Sequence, residues 1–67
     1  MIKNRVSIVM GERRMTISET AKLAGISYTT LDNIYHNNTK GIEFDTLDKL
    51  CFALNCKPGD LLDYAEK

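Results

Sequence analysis

Three side chains in this 67-residue sequence have the chemistry of metal ligands or nucleophiles: Cys51, Cys56 and the single histidine, His36. The cysteines stand five apart, and no second pair completes the four ligands of a zinc site. Cys51 falls within Leu47, Leu50, Cys51 and Leu54, an apolar run at helical spacing. Both cysteines therefore read as small buried hydrophobes, unbridged, in a reducing compartment. His36 has no ligand cluster around it and reads as a loop or cap residue. No paired carboxylates, Cys/His dyad or phosphate-cradling glycine loop appears, so neither catalysis nor a bound metal or cofactor is expected. Size agrees. A catalytic cleft of about 300–1,000 Å³ is hard to enclose in 67 residues.

The charged side chains carry more information. Net charge is zero, but its distribution is uneven. Residues 1–40 hold Lys3, Arg5, Arg13, Arg14, Lys22 and Lys40 against Glu12, Glu19 and Asp32, a net +3. Residues 41–67 hold Lys49, Lys57 and Lys67 against Glu43, Asp45, Asp48, Asp60, Asp63 and Glu66, a net −3. Such an asymmetric chain can present one side to a polyanion.

Positioning those charges falls to a single small domain, residues 1–67. The 43% hydrophobic content supports one core and contradicts disorder. The longest run without strongly polar residues, Val6 to Gly11, is far short of the roughly 20 residues of a membrane span. Arg5, Glu12, Arg13 and Arg14 interrupt any signal-peptide core, so a cytoplasmic location is expected.

The spacing predicts an all-α chain of five short helices. The first runs from about Ile2 to Arg13, with Val6, Val9 and Met10 on its core stripe and Ile8 off it. Thr16-Ile17-Ser18-Glu19 is a capping-box sequence that starts the second helix at Ile17. Thr20, Ala21, Leu23 and Ala24 are its apolar positions, and Gly25 stops it in a left-handed conformation. Ser27 caps a third helix carrying Leu31, Ile34 and Tyr35. His36 to Gly41 is loop chemistry. A fourth helix, from Phe44 or Asp45 to Leu54, carries Phe44, Leu47, Leu50, Cys51 and Leu54 inward and ends at Asn55. Pro58 opens a last short helix, with Leu61 and Leu62 packing back.

Helices two and three are joined only by Gly25-Ile26-Ser27, the short glycine-containing turn of a helix-turn-helix over about residues 17–36. Ala21, Gly25 and Leu31 occupy the first, fifth and eleventh places of its frame. Ala21 is small where the next helix crosses, and Ile26 and Leu31 fill the corner. With these residues, Thr16 to Tyr35 resembles the helix-turn-helix of the Cro/CI-type, phage λ-repressor-like DNA-binding domains. Residues 45–62, an apolar helix, a turn and a closing Asp60-Leu61-Leu62, extend the resemblance over nearly the whole chain.

The resemblance implies that the second motif helix enters the major groove by its N-terminal end. Ser27, Tyr28, Thr29 and Asn33 then fall at base-contacting positions, and the Asn33 amide suits adenine N6/N7. Thr16 and Ile17 would offer the start of the first motif helix to a phosphate. Asn37, Asn38, Thr39 and Lys40 would clamp the backbone beside the groove. Where relatives often bury an Arg–Glu pair, Met10 and Tyr35 stand here, and apolar contact is expected. The implied partner is double-stranded DNA, bound as a homodimer on a palindrome, with no small-molecule cofactor and no membrane. The implied function is a transcriptional repressor that occludes a promoter. The alternative is a protein-interaction module, antirepressor or antitoxin-like, that keeps the fold without strong DNA binding. Zero net charge and the loop cations missing beside Lys40 favour it, while the +3 half and Lys40 at the clamp argue against it.

Overall fold

The computed structural model describes residues 1–66. They run in the order β1 (Ile2–Asn4), α1 (Val6–Glu12), α2 (Ile17–Ala24), α3 (Tyr28–Tyr35), α4 (Phe44–Leu54), α5 (Pro58–Leu61) and β2 (Leu62–Tyr64). Helix starts follow local chemistry. Thr16 Oγ1 accepts the Glu19 amide at 3.1 Å while the Thr16 amide donates to Glu19 Oε1 at 3.0 Å, closing a reciprocal box. Ser27 Oγ accepts the Thr30 amide at 3.0 Å. Pro58 occupies the first turn of α5, and the Lys57 amide donates to Asp60 Oδ2 at 2.9 Å.

Helix ends share one device. Each of the four longer helices is followed by a left-handed residue: Arg14 (φ 54°), Gly25 (φ 74°), Asn37 (φ 60°) and Asn55 (φ 51°). In each case the next amide reaches five residues back, Met15 to Met10, Ile26 to Ala21, Asn38 to Asn33 and Cys56 to Cys51, at 2.8–3.1 Å. This 6→1 bond satisfies a terminal carbonyl that the helix leaves without a partner. Arg13 adds a tertiary version, its Nε donating to the Leu54 carbonyl at 3.0 Å.

The core is assembled from Val6, Val9 and Met10 of α1, Ala21 and Ala24 of α2, Leu31 and Ile34 of α3, Leu47, Leu50, Ala53 and Leu54 of α4, and Leu61 of α5. α2 packs on both α3 and α4, and α1 on α3 and α5. Tyr35 is half-buried against the same core that contains Met10. Thr20 is wholly buried, and its hydroxyl has no hydrogen-bond partner among the described residues. No helix among the described residues is long and apolar enough to cross a membrane.

The structure corrects the all-α expectation. Ile2 to Asn4 is not the first turn of α1 but a strand, paired antiparallel with β2 in the register Ile2–Tyr64, Lys3–Asp63 and Asn4–Leu62. Flanking bonds extend the ribbon: Arg5 N to Leu61 O at 2.7 Å and Ala65 N to Met1 O at 2.8 Å. The helix is held back to Val6 by Asn4, whose Oδ1 accepts the Val6 amide at 2.9 Å. A short polar side chain that bonds the backbone locally competes with helix and favours its cap. Asn4 Nδ2 also donates to the Ile34 carbonyl at 2.6 Å, tying the ribbon to the end of α3.

Two smaller corrections concern burial. Cys51 and Cys56 are unbridged but only half-buried, Cys51 on the last turn of α4 and Cys56 just past its Asn55 cap, both at the edge of the core. Burial still pushes both thiols above their ordinary pKa. Phe44, expected inward, is 89% exposed. At 100° per residue it lies about 20° beyond Cys51 on the edge of the apolar stripe.

Candidate nucleic-acid interface

α2, the left-handed Gly25 and α3 form a helix-turn-helix whose inner face is sealed. Ala21, Ala24, Leu31 and Ile34 are buried, and Ile26 fills the corner half-exposed. What α3 leaves outward is polar: Tyr28, Thr29, Thr30 and Asn33 are all exposed, Tyr28 by 56%. The positions that face DNA by resemblance are therefore on the open face. Ser27, also exposed, is partly committed. Its hydroxyl accepts from the Thr30 amide and donates to Thr30 Oγ1 at 2.7 Å, which leaves it one acceptor site.

The loop after α3 continues this face. Asn33, Asn38 and Thr39 line one shallow pocket of about 220 Å³ with Thr30, Gly41 and Glu43. Asn38 is held there by its amide, which donates to the Asn33 carbonyl at 2.8 Å. The Thr39 hydroxyl donates to the Gly41 carbonyl at 2.8 Å, so it is free only as an acceptor. Asn37 adopts its left-handed turn, and Lys40 is exposed without an ion pair among the described residues. Thr30 and the pocket-lining Glu43 were not anticipated. Thr30 precedes Asn33 by one helical turn, and that i, i+3 spacing is the signal that finds it.

The first turn of α2 offers less than its sequence implies. The Thr16 amide is spent on Glu19, so only the Thr16 hydroxyl could turn to a phosphate. The amides of Ile17 and Ser18, the first two of the helix, have no partner within it. Glu19 keeps a negative charge beside them. The Thr16 amide, and then the Thr16 hydroxyl, hold its carboxyl below the usual pKa. Asp32 on α3 is turned toward the helix end, its Oδ1 3.2 Å from His36 Nδ1 in an i, i+4 pair. His36 is the C-cap of α3, as its loop-or-cap reading expected, and its Nδ1 also lies 3.0 Å from the Asp32 main-chain carbonyl.

Fold and site together define a helix-turn-helix domain with an open polar face on α3. Residues 5–67 match the family model described as the Cro/C1-type HTH DNA-binding domain, and the chain belongs to that family. It is similar to the HTH-type transcriptional regulator YozG of Bacillus subtilis (strain 168), itself uncharacterized, with 32% identity over 59 residues. That alignment covers 88% of this chain and 70% of YozG. It is also similar to the crystal structure of a candidate DNA-binding protein from Bacteroides fragilis. There the TM-score is 0.80 at 28% identity, covering 94% of this chain and all of the other.

Proposed function

We propose that this chain is a sequence-specific DNA-binding transcriptional regulator, a repressor that occludes its promoter as a dimer on a palindromic operator. The observation that carries this reading is the exposed, polar, capped face of α3 on a helix-turn-helix whose other face packs on the core through Ala21, Ala24, Leu31 and Ile34. Ser27, Tyr28, Thr29 and Asn33 are assigned to base edges. Thr16, Ile17, Asn37, Asn38, Thr39 and Lys40 are assigned to phosphates. One short helix reads few base pairs, and a useful preference over genomic competitors needs two copies. Their half-sites should lie about 34–36 Å apart, one helical turn.

Anisotropy titrations on a duplex selected from a random pool test the assignment. Asn33→Ala should cost about 1–3 kcal/mol on the selected site and relax one position, with little effect on scrambled DNA. Lys40→Ala should weaken both duplexes alike, because phosphate contacts carry no sequence information. Equal losses on both duplexes for Asn33→Ala would remove it as a reader. A protein-interaction role is favoured by Phe44 and Phe52, which are 89% and 77% exposed on α4. Absence of salt-sensitive retention on heparin or bulk DNA would remove the DNA-binding reading and favour that role.

A further inference from the structure

We propose that the trough between the β1–β2 ribbon and the loop after α3 is a second phosphate-binding site, in which Lys3 and Arg5 join Lys40. The site holds the DNA backbone flanking the groove that α3 reads, and so rests on the DNA-binding reading above. The trough has a volume of about 860 Å³ and is open to solvent along the surface. Ile8 and Ile42 are among its apolar lining residues, and Lys3, Arg5 and Lys40 stand around it.

Three features make this a polyanion site rather than scattered surface charge. First, its cations outnumber its carboxylates three to one. None of the three forms an ion pair among the described residues. Asp63, the one carboxylate in the lining, faces Lys3 across the ribbon and offsets part of its charge, while its Oδ1 accepts from the Tyr64 amide at 2.9 Å. Second, the trough adjoins the recognition face. Thr39, Gly41 and Ile42 line both this trough and the small pocket that holds Asn33. The loop is thus a shared wall, and a strand crossing it from the α3 side arrives at Lys3 and Arg5. Third, the inner end of the ribbon is tied to the reading helix. Asn4 lies between the two cations in sequence and is bonded to the α3 carbonyl of Ile34 at 2.6 Å. Cations held on an ordered frame lose less freedom on binding than cations on a loose arm. The loop itself supplies one positive charge, and the ribbon supplies the other two.

The test measures log K against log salt for wild type and for Lys3→Gln/Arg5→Gln on the selected duplex and on a scrambled one. Each phosphate neutralised contributes about 0.9 to the slope on B-DNA. The double variant should therefore flatten the slope by about two on both duplexes and leave the base preference unchanged. Lys3→Arg/Arg5→Lys, which keeps the charge, should retain the wild-type slope. Trimming the duplex flanks should flatten the wild-type slope and leave the double variant's unchanged. Melting curves of each variant report that the fold is intact. Wild-type binding with an unchanged slope in the double variant overturns the trough and leaves the groove assignment standing. An unchanged slope with weakened self-association would assign the trough to an acidic segment of a second copy, and likewise overturns the proposal. Failure of the wild type to bind any duplex overturns both readings together.

Discussion

Thr20→Val should make the protein more stable, and the structure gives the size of the effect. Thr20 has no exposed surface, and its hydroxyl lies in the core with no partner among the described residues. A buried hydroxyl without a hydrogen bond costs about 1–3 kcal/mol relative to its solvated state. Valine replaces that hydroxyl with a methyl group of nearly the same shape, so no cavity opens. Helix propensity hardly enters, since Thr and Val rank together. The expected gain is about 1–2 kcal/mol. In a domain of this size each kcal/mol moves Tm by about 4–8 °C. Urea unfolding should show a higher midpoint at an unchanged slope, the sign of altered stability without altered compactness. Thr20→Ser serves as the control: it keeps the hydroxyl, removes the methyl and should be destabilising. A neutral or destabilising Thr20→Val would refute the reasoning. It would mean that the hydroxyl has a partner, the Thr16 carbonyl one turn back being the nearest in sequence.

Arg14→Gly should stabilise by about 0.5–1 kcal/mol, the left-handed cost of an L-residue at φ 54° offset by the greater freedom of glycine in the unfolded chain; an unchanged urea midpoint would show that the Arg14 side chain offsets the strain. Gly25→Val should destabilise by more than about 1 kcal/mol, because a β-branched residue at φ 74° is strained even where space is free. An unchanged melting temperature would contradict it. The depressed Glu19 pKa makes a stabilising contribution that is present above the unfolded value and is lost as pH falls through the lower folded value. The stability difference between wild type and Glu19→Gln should therefore shrink as the solution is acidified through that window, and a difference that stays flat with pH would refute the link.

Much of the fold was legible because its instructions are local. The Thr16–Glu19 box, the Ser27 cap, Gly25, Asn55 and Pro58 each act within a few residues of their own position, so short-range spacing suffices to place them. The ribbon was not legible. Its two strands are three residues each and lie about sixty positions apart, too short to show a period of two and too distant to show a turn. Arg14 escaped for a different reason: arginine does not announce a left-handed conformation, whereas glycine and asparagine do. Phe44 was misplaced because helical spacing gives an angle but not the neighbour that would cover it. At the candidate site, the polar face of α3 followed directly from Leu31 and Ile34 pointing inward. The trough could not be read from sequence, since Lys3 and Arg5 meet Lys40 only through the ribbon.

The same ribbon sets a hierarchy of motion. Its outer pair, Ile2 and Tyr64, remains about two-thirds exposed, so almost no burial resists its opening. The core beneath is already joined at Arg5 and Leu61, and opening the outer pair leaves that joint in place. Segments with few buried contacts open at free energies well below that of global unfolding. In hydrogen exchange, backbone amides at the Ile2–Tyr64 end should lose protection long before those of Leu50 or Leu54, while the inner end, tied through Asn4 to Ile34, opens later. A polyanion seated across the ribbon would slow that exchange selectively, and the fraying end of the molecule would become a reporter of what its surface has bound.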